Sequence, residues 1–558
     1  MYEVRLKESF FPAQSAASLQ PQTVYEMMAQ QACRFGHKDA LLEITSTGDS
    51  GRSWTYSALH EEAERLARAL STRHRQSARV AIFANNLPEW VLMELACAYA
   101  GLVLVTVNPS LRAAELHYIL EQSKAEAIYY AAQVRGSKLR DVIDAAIADA
   151  DQPLICIELE DEVALFAGWE QGVPRETSPE DVVQIQYTSG TTGFPKGAQL
   201  HQHGLVASGR DILRRVGVHE GARVPGYMPL FHTSGCGIMT LGGLGCGATI
   251  LLMHDFDPVV ALQLVEAQGV TFLSGVPTML VAIFDVAEKT GRDLSQIKGL
   301  MSGGSVVAAE LNRRAQKLCG VPVLNSYGQT EASPGIAGTW PDDTDEDICE
   351  TIGQPYPHID VAILKPGSSD ICPLQEQGEI CVRGYNVMTA YNNNPAATRD
   401  AIDKEGWLHT GDLGSMDARG YIRITGRVKE MIIRGGENLF PAEIENAMLA
   451  HPGIAEVAVV GVPDEKWGEL VACFMRIRAL PDGNMGISID NGSDNTNDVD
   501  ARPSAEELKK FIRARLSPQK TPAYWIWVSE WPLTGSGKIR KFVLREKFLA
   551  GEYQILTA

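Results

Sequence analysis

Two hydrophobic periods alternate along this chain. Across residues 61–70 apolar positions return every three to four residues, which predicts an amphipathic helix. Residues 79–83 form a short apolar run and predict a strand; 90–100 predict a helix and 102–107 a second strand. Helices alternating with apolar strands are the texture of βαβ units packed on parallel sheets. The pattern holds to about residue 330. After Pro334 the strands shorten and turns multiply, as at 378–383 and 420–425, which predicts a small β-barrel or sandwich. From Glu430 a finer alternation resumes, with a helix over 442–449 and a strand over 455–460. The class expected is α/β, without internal repeats.

Two segments depart from this pattern. Residues 235–253 carry no charge and are long enough to span a bilayer. Six of them are glycine, and the run breaks around Gly245 and Gly247 into a helix-like half and a strand-like 248–253. A buried helix–strand pair is therefore expected, and no transmembrane segment. Gly243, Gly245 and Ala248 match the spacing of a dinucleotide-binding turn, but a strand follows where that site needs a helix, so it is set aside. Residues 481–503 are rich in Asp, Asn, Gly and Ser and predict an exposed, flexible acidic insert with no catalytic role.

Charge and cysteine content narrow the function classes. A net charge of −19 argues against nucleic acid as partner, while leaving a small anionic ligand open. The ten cysteines form no C-x-x-C pair, so free thiols in a reducing compartment are expected rather than a zinc site. The first residues are mixed in charge and lack an apolar core, so no secretory signal is expected and the location is taken as cytoplasmic. Peripheral membrane contact and a homodimer remain open.

The chemistry concentrates in a few loops. Residues 187–197 hold three glycines, four aliphatic hydroxyls and Lys196, a composition that can close around phosphate oxygens. A strand is predicted just before it, at 181–187. Pro195 precedes the lysine and Gly197 follows it, so this is not the usual P-loop of nucleoside triphosphatases. Residues 325–331 place Tyr327 and Glu331 four apart after a strand-like run: a ring that could stack on a base and a carboxylate that could hold Mg²⁺. Asp412 ends a Gly-rich turn and is fit to accept hydrogen bonds from a ribose diol. Residues 426–438 combine charges with Gly435 and Gly436, residues 532–538 present Lys538 at the tip of a Gly-rich loop, and His232 sits in an apolar context.

Taken in order and spacing, the loop 187–197, Tyr327 to Glu331, Gly411–Asp412, Gly426–Arg427 and Gly537–Lys538 resemble the adenylate-forming superfamily of acyl-CoA synthetases, peptide-synthetase adenylation domains and firefly-type luciferases. The resemblance covers essentially the whole chain. Residues 426–438 and 391–395 look most like fatty-acyl-CoA synthetases. It implies a large N-terminal domain, residues 1–427, of two parallel-type αβ subdomains plus a small β-barrel, with the ATP and acyl sites. A small mobile α+β domain, residues 428–558, carries Lys538.

It also implies two half-reactions with ATP, Mg²⁺ and coenzyme A. A carboxylic acid is adenylated with loss of pyrophosphate, and a thiol then displaces AMP. In this reading Thr188, Ser189, Gly190, Thr191, Thr192, Gly193 and Lys196 cradle the phosphates, and Thr188 and Glu331 hold the metal. Ser302, Gly303, Gly304 and Ser305 with Tyr327 enclose adenine, with Asn325 at its edge and Gly328, Gln329 and Thr330 beside it. Asp412, supported by Arg427, takes the ribose. Lys538 lies between carboxylate and α-phosphate, neutralising two approaching anions. Lys429 is the hinge, where many relatives carry Asp and others Lys. Gly435, Gly436 and Glu437 border the coenzyme A channel. Phe231, His232, Gly235, Val276, Gly304, Gly328 and Gly335 border the acyl pocket, and their small size favours a medium- or long-chain fatty acid. The alternatives are an aryl or other acid, and an acyl carrier protein as acceptor in place of coenzyme A.

Overall fold

The computed structural model describes residues 1–14, 19–148, 153–188, 195–304, 307, 309–435, 437–478, 502–533 and 539–556. Contacts divide the chain into two compact units: Met1–Thr410 with Ser415–Arg423, and Gly411–Gly414 with Ile424–Ala558. The second unit thus takes in the short segment that holds Asp412.

A seven-stranded sheet anchors the first unit. Its order is Ala390–Tyr391, Lys196–His201, Val182–Thr188, Val103–Val107, Arg79–Phe83, Ala127–Tyr130, Ile155–Glu158. The last five strands are parallel, and Lys196–His201 returns antiparallel to Val182–Thr188. Val103–Val107 is buried along its whole length, as a strand covered on both faces must be, which is why it reads as an unbroken apolar run. The helix expected at 61–70 is longer, Tyr56–Arg73, because the Thr55 side chain accepts from Ala58 N and caps its start. The helix expected at 90–100 is Pro88–Tyr99, with the proline in its first turn, where no hydrogen bond is lost.

Two further sheets lie side by side in this unit. One runs Arg223–Gly226, Thr249–Met253, Asp39–Ile44, Ser50–Thr55; the other runs Phe272–Gly275, Gly299–Gly303, Val323–Tyr327, Ala337–Gly338, Gln354–Pro355. Arg223–Gly226 packs beside Phe272–Gly275. The first three strands in each are parallel. The charge-free stretch is a buried π-helix, Ser234–Gly242, a short α-turn and the central strand Thr249–Met253. No described helix is long and apolar enough to cross a membrane. The β-rich region after Pro334 is a five-stranded sheet, Phe10–Phe11, Ile359–Leu364, Gly378–Gly384, Leu408–Met416, Ile422–Arg427. Its last strand starts at Ile422 rather than residue 420, because Gly420 adopts φ +78° in the turn before it.

The second unit is one mixed sheet between helices. Glu437–Leu439, Ile432–Arg434, Gly468–Ile477 and Ile454–Asp464 are antiparallel neighbours, and Tyr524–Trp527 runs parallel to Gly468–Ile477. Alternate residues build two cores. Val459, Val471, Cys473 and Met475 face one way with Ile444, Leu508 and Ile512; Ala458, Val460, Ala472 and Phe474 face the other with Leu544. The strand expected at 455–460 continues to Asp464 through Pro463, since its partner in the hairpin carries the register to Gly468.

Candidate active site

The side chains expected at the site in the first unit lie at the carboxyl ends of its parallel strands, the usual place for a ligand in such sheets. Thr188 ends Val182–Thr188 and stands opposite Lys196 in register. Glu331 lies on the 3₁₀ turn Thr330–Ala332, which follows Val323–Tyr327. Thr188 Oγ1 donates to Glu331 Oε1 at 3.1 Å although the two are 143 residues apart. Tyr391 donates its hydroxyl to the same oxygen at 2.7 Å. Lys196 Nζ sits 5.0 Å from the centre of the Tyr391 ring. Burial, and then the Glu331 charge, push the Tyr391 hydroxyl well above its ordinary value, so it remains a donor. Ser189, Gly190, Thr191, Thr192 and Gly193 lie outside the described residues. Tyr118 donates to Pro195 O at 2.9 Å, next to Lys196.

Thr188 and Glu331 bring together a hydroxyl and a carboxylate oxygen, the hard donors that Mg²⁺ takes. Their 3.1 Å spacing is that of the hydrogen bond between them, which a bound cation would replace.

Ser302 and Tyr327 occupy the ends of two adjacent parallel strands. Ser302 is buried, and its Oγ has no hydrogen-bond partner among the described residues. Tyr327 is half-buried, Gly304 is exposed with φ +79°, and Thr330 is buried. Ser305 lies outside the described residues. Asn325 is half-buried on the same strand as Tyr327; its amide donates to Ile348 O at 2.5 Å and Thr351 O at 3.0 Å and ties down the neighbouring segment.

The glycines expected at the acyl pocket are closely packed on their Cα side. A Cβ on Gly235 would lie 2.2 Å from Pro229 O, on Gly328 1.5 Å from Pro334 O, and on Gly335 2.8 Å from Ile212 Cδ1. These residues are small because neighbouring atoms already fill the space, so they are no measure of an open tunnel. Phe231, His232 and Val276 are half-buried. Ser234 N donates to His232 Nδ1 at 3.2 Å, which orients the ring. A groove of about 320 Å³ bordered by Val216, Arg223, Gln268, Phe272 and Lys298 lies at the opposite, amino-terminal ends of these strands, away from the functional cluster.

On the β-rich sheet, His409 bridges two carboxylates. Its Nδ1 is 2.9 Å from Glu379 Oε2 and its Nε2 is 3.4 Å from Asp403 Oδ2. The hydrogen bond to Glu379 raises the His409 pKa. Cys381 Sγ lies 3.4 Å from the same Nδ1, but burial pushes its thiol well up, and it stays protonated.

Within the second unit Arg427 Nε donates to Asp412 Oδ1 at 2.7 Å, with the carboxylate buried and the guanidinium exposed. Lys429 is on the 3₁₀ turn Val428–Glu430. Gly435 has φ +60°, its N donates to Trp467 O at 2.7 Å, and a Cβ there would strike the Trp467 ring at 2.9 Å. Glu437 accepts from Gln519 at 3.4 Å. Gly436 and Lys538 lie outside the described residues; the loop of Lys538 is closed at its base by the bridge between Leu533 and Ile539. Tyr391 is the residue that sequence reasoning missed as part of the site. Its run 391–395 counted only toward resemblance, although an aromatic hydroxyl within the β-rich region, shortly after the strand expected at 378–383, was visible.

Comparisons with known proteins show the family. The profile of the family "AMP-binding enzyme" matches residues 28–392, and that of "AMP-binding enzyme C-terminal domain" matches 443–538. The chain is 34% identical to the putative acyl-CoA synthetase YngI of Bacillus subtilis (strain 168), covering 95% of this chain and 98% of that one. It is 32% identical to the mitochondrial medium-chain acyl-CoA ligase ACSF2 of Homo sapiens, over 95% and 88% of the two. Among solved structures, ATP-bound MatB from Rhodopseudomonas palustris superimposes with a TM-score of 0.80 at 26% identity, over 94% of this chain and 99% of that one. The chain therefore belongs to the adenylate-forming superfamily, as an AMP-forming acyl-CoA synthetase.

Proposed function

We propose that this enzyme activates a medium- or long-chain fatty acid and passes the acyl group to coenzyme A. The observation that carries the catalytic part is the Thr188–Glu331 oxygen pair, 3.1 Å apart at the carboxyl ends of the strands. In the first step a carboxylate oxygen attacks the α-phosphorus of ATP, and the bond to the β-phosphate oxygen breaks, releasing pyrophosphate. In the second the thiol of coenzyme A, losing its proton, attacks the acyl carbonyl and AMP leaves. Thr188 and Glu331 hold Mg²⁺, whose charge offsets that of the phosphates when bound. Tyr391 holds the Glu331 carboxylate in place, and Lys196 flanks the leaving phosphates. Ser302 and Tyr327 receive adenine, Asp412 with Arg427 the ribose, and His232 the carboxylate end of the acid. Lys538 brings the positive charge to the reacting centre, and rotation about Lys429 exchanges it for the segment Gly435 to Glu437 when the thiol enters. The ten free thiols are in keeping with a cytoplasmic enzyme.

The fatty-acid reading rests on likeness to the medium-chain acyl-CoA ligase, since the closely packed glycines do not measure a tunnel. The test is pyrophosphate release across a panel of carboxylic acids, followed by AMP release with coenzyme A or with a holo carrier protein. Acids of medium or long chain with coenzyme A are expected to turn over fastest. A preference for aryl acids, or turnover with the carrier alone, would sink the proposal.

A further inference from the structure

Lys541 sits where two functional segments of the second unit meet. It is the first residue of the helix Lys541–Leu549, directly after the loop that carries Lys538. The stem of that loop is a small hairpin, held by the Leu533–Ile539 bridge and by Arg540 N donating to Pro532 O at 2.7 Å. From this stem the Lys541 ammonium reaches Glu430 Oε2 at 2.6 Å and Glu445 Oε1 at 2.9 Å. Glu430 ends the turn Val428–Glu430, next to Lys429. Glu445 is on the helix Pro441–Leu449, and its Oε1 also accepts Val459 N at 2.7 Å, which pins it to the sheet.

We infer that Lys541 is a positioning residue: its ammonium ties the turn after the hinge to the stem of the Lys538 loop, so that the two move as one body. This rests on the proposed roles of Lys429 and Lys538. The three side chains keep only about 25, 32 and 17% of their surface exposed, so losing the ammonium uncovers two largely buried carboxylates and costs some stability. Geometry is another matter, since a shift of about 1 Å at a reacting group can cost a hundredfold in rate. Without the ammonium, two carboxylates are left facing one another and the stem loses its tether.

The test uses the full chain with Lys541→Met, which keeps length and removes charge, Lys541→Arg, and Glu430→Gln. Acid-dependent ATP–pyrophosphate exchange reads the first half-reaction; conversion of preformed acyl-AMP and coenzyme A reads the second. Lys541→Met is expected to lower exchange at least about tenfold and to change the second half-reaction less than about twofold. Lys541→Arg restores most of the loss, and Glu430→Gln, which leaves the helix intact, reproduces its direction. An equal fall in both half-reactions, or in neither, overturns the inference. Lys538→Ala is the control. If that variant leaves exchange intact, the role of Lys538 itself is wrong; if it abolishes exchange while Lys541→Met does not, only the positioning role fails.

Discussion

One oxygen, Glu331 Oε1, takes hydrogen bonds from both Thr188 and Tyr391. A hydrogen bond to a charged group is worth about 1.5 to 3 kcal/mol, and removing one leaves the carboxylate less firmly aimed. Tyr391→Phe is therefore expected to lower kcat/KM for Mg-ATP roughly tenfold to hundredfold, measured by pyrophosphate release; an unchanged value would remove Tyr391 from the site. The glycines carry the opposite kind of prediction. Gly328→Ala forces a methyl group onto Pro334 O, and Gly235→Ala onto Pro229 O. Overpacking of this kind costs about 1 to 3 kcal/mol. Both variants should show a lower melting temperature with an unaltered chain-length profile. A shifted profile at wild-type stability would restore them to the acyl pocket.

Between elements, His409 joins the strand Leu408–Met416 to Glu379 on Gly378–Gly384 and to Asp403. Its folded pKa is raised above the ordinary value of 6.5. The sign follows from linkage: the folded state binds this proton more tightly, so the stabilisation is complete below pH 6.5 and is lost as pH rises through the folded value. Denaturation midpoints should fall across that window, and His409→Gln should flatten the fall. An identical slope in the variant would show that other groups govern it. Elements were also where sequence periodicity served best. Runs at 79–83 and 102–107 became strands within one residue because burial on both faces leaves a continuous apolar signature. Helix ends were less legible, since Thr55 acts through a local cap that apolar spacing does not register.

At the scale of the whole molecule, one chain supplies two units with different chemistry, and the lysine proposed for the first half-reaction belongs to the smaller one. Lys538→Ala should therefore lose at least about 3 kcal/mol of transition-state stabilisation in adenylation while still converting preformed acyl-AMP with coenzyme A. Measuring the half-reactions separately checks this, and a parallel loss in both would contradict an exchange of conformations. The order and spacing of the loops were enough to identify the family, because each loop is a contiguous piece of chain whose composition survives in one dimension. Periodicity likewise determined the parallel αβ layers and the smaller αβ unit, since burial repeats every two or every three to four residues. The meeting of Thr188 with Glu331, 143 residues on, and of Glu331 with Tyr391, 60 residues on, was settled only by tertiary structure. So were the hydrogen bonds of Asn325 and the close packing around Gly235, Gly328 and Gly335. A hydrogen-bond partner or the space beside a Cβ is set by which distant segment packs there, and local sequence carries no measure of that distance.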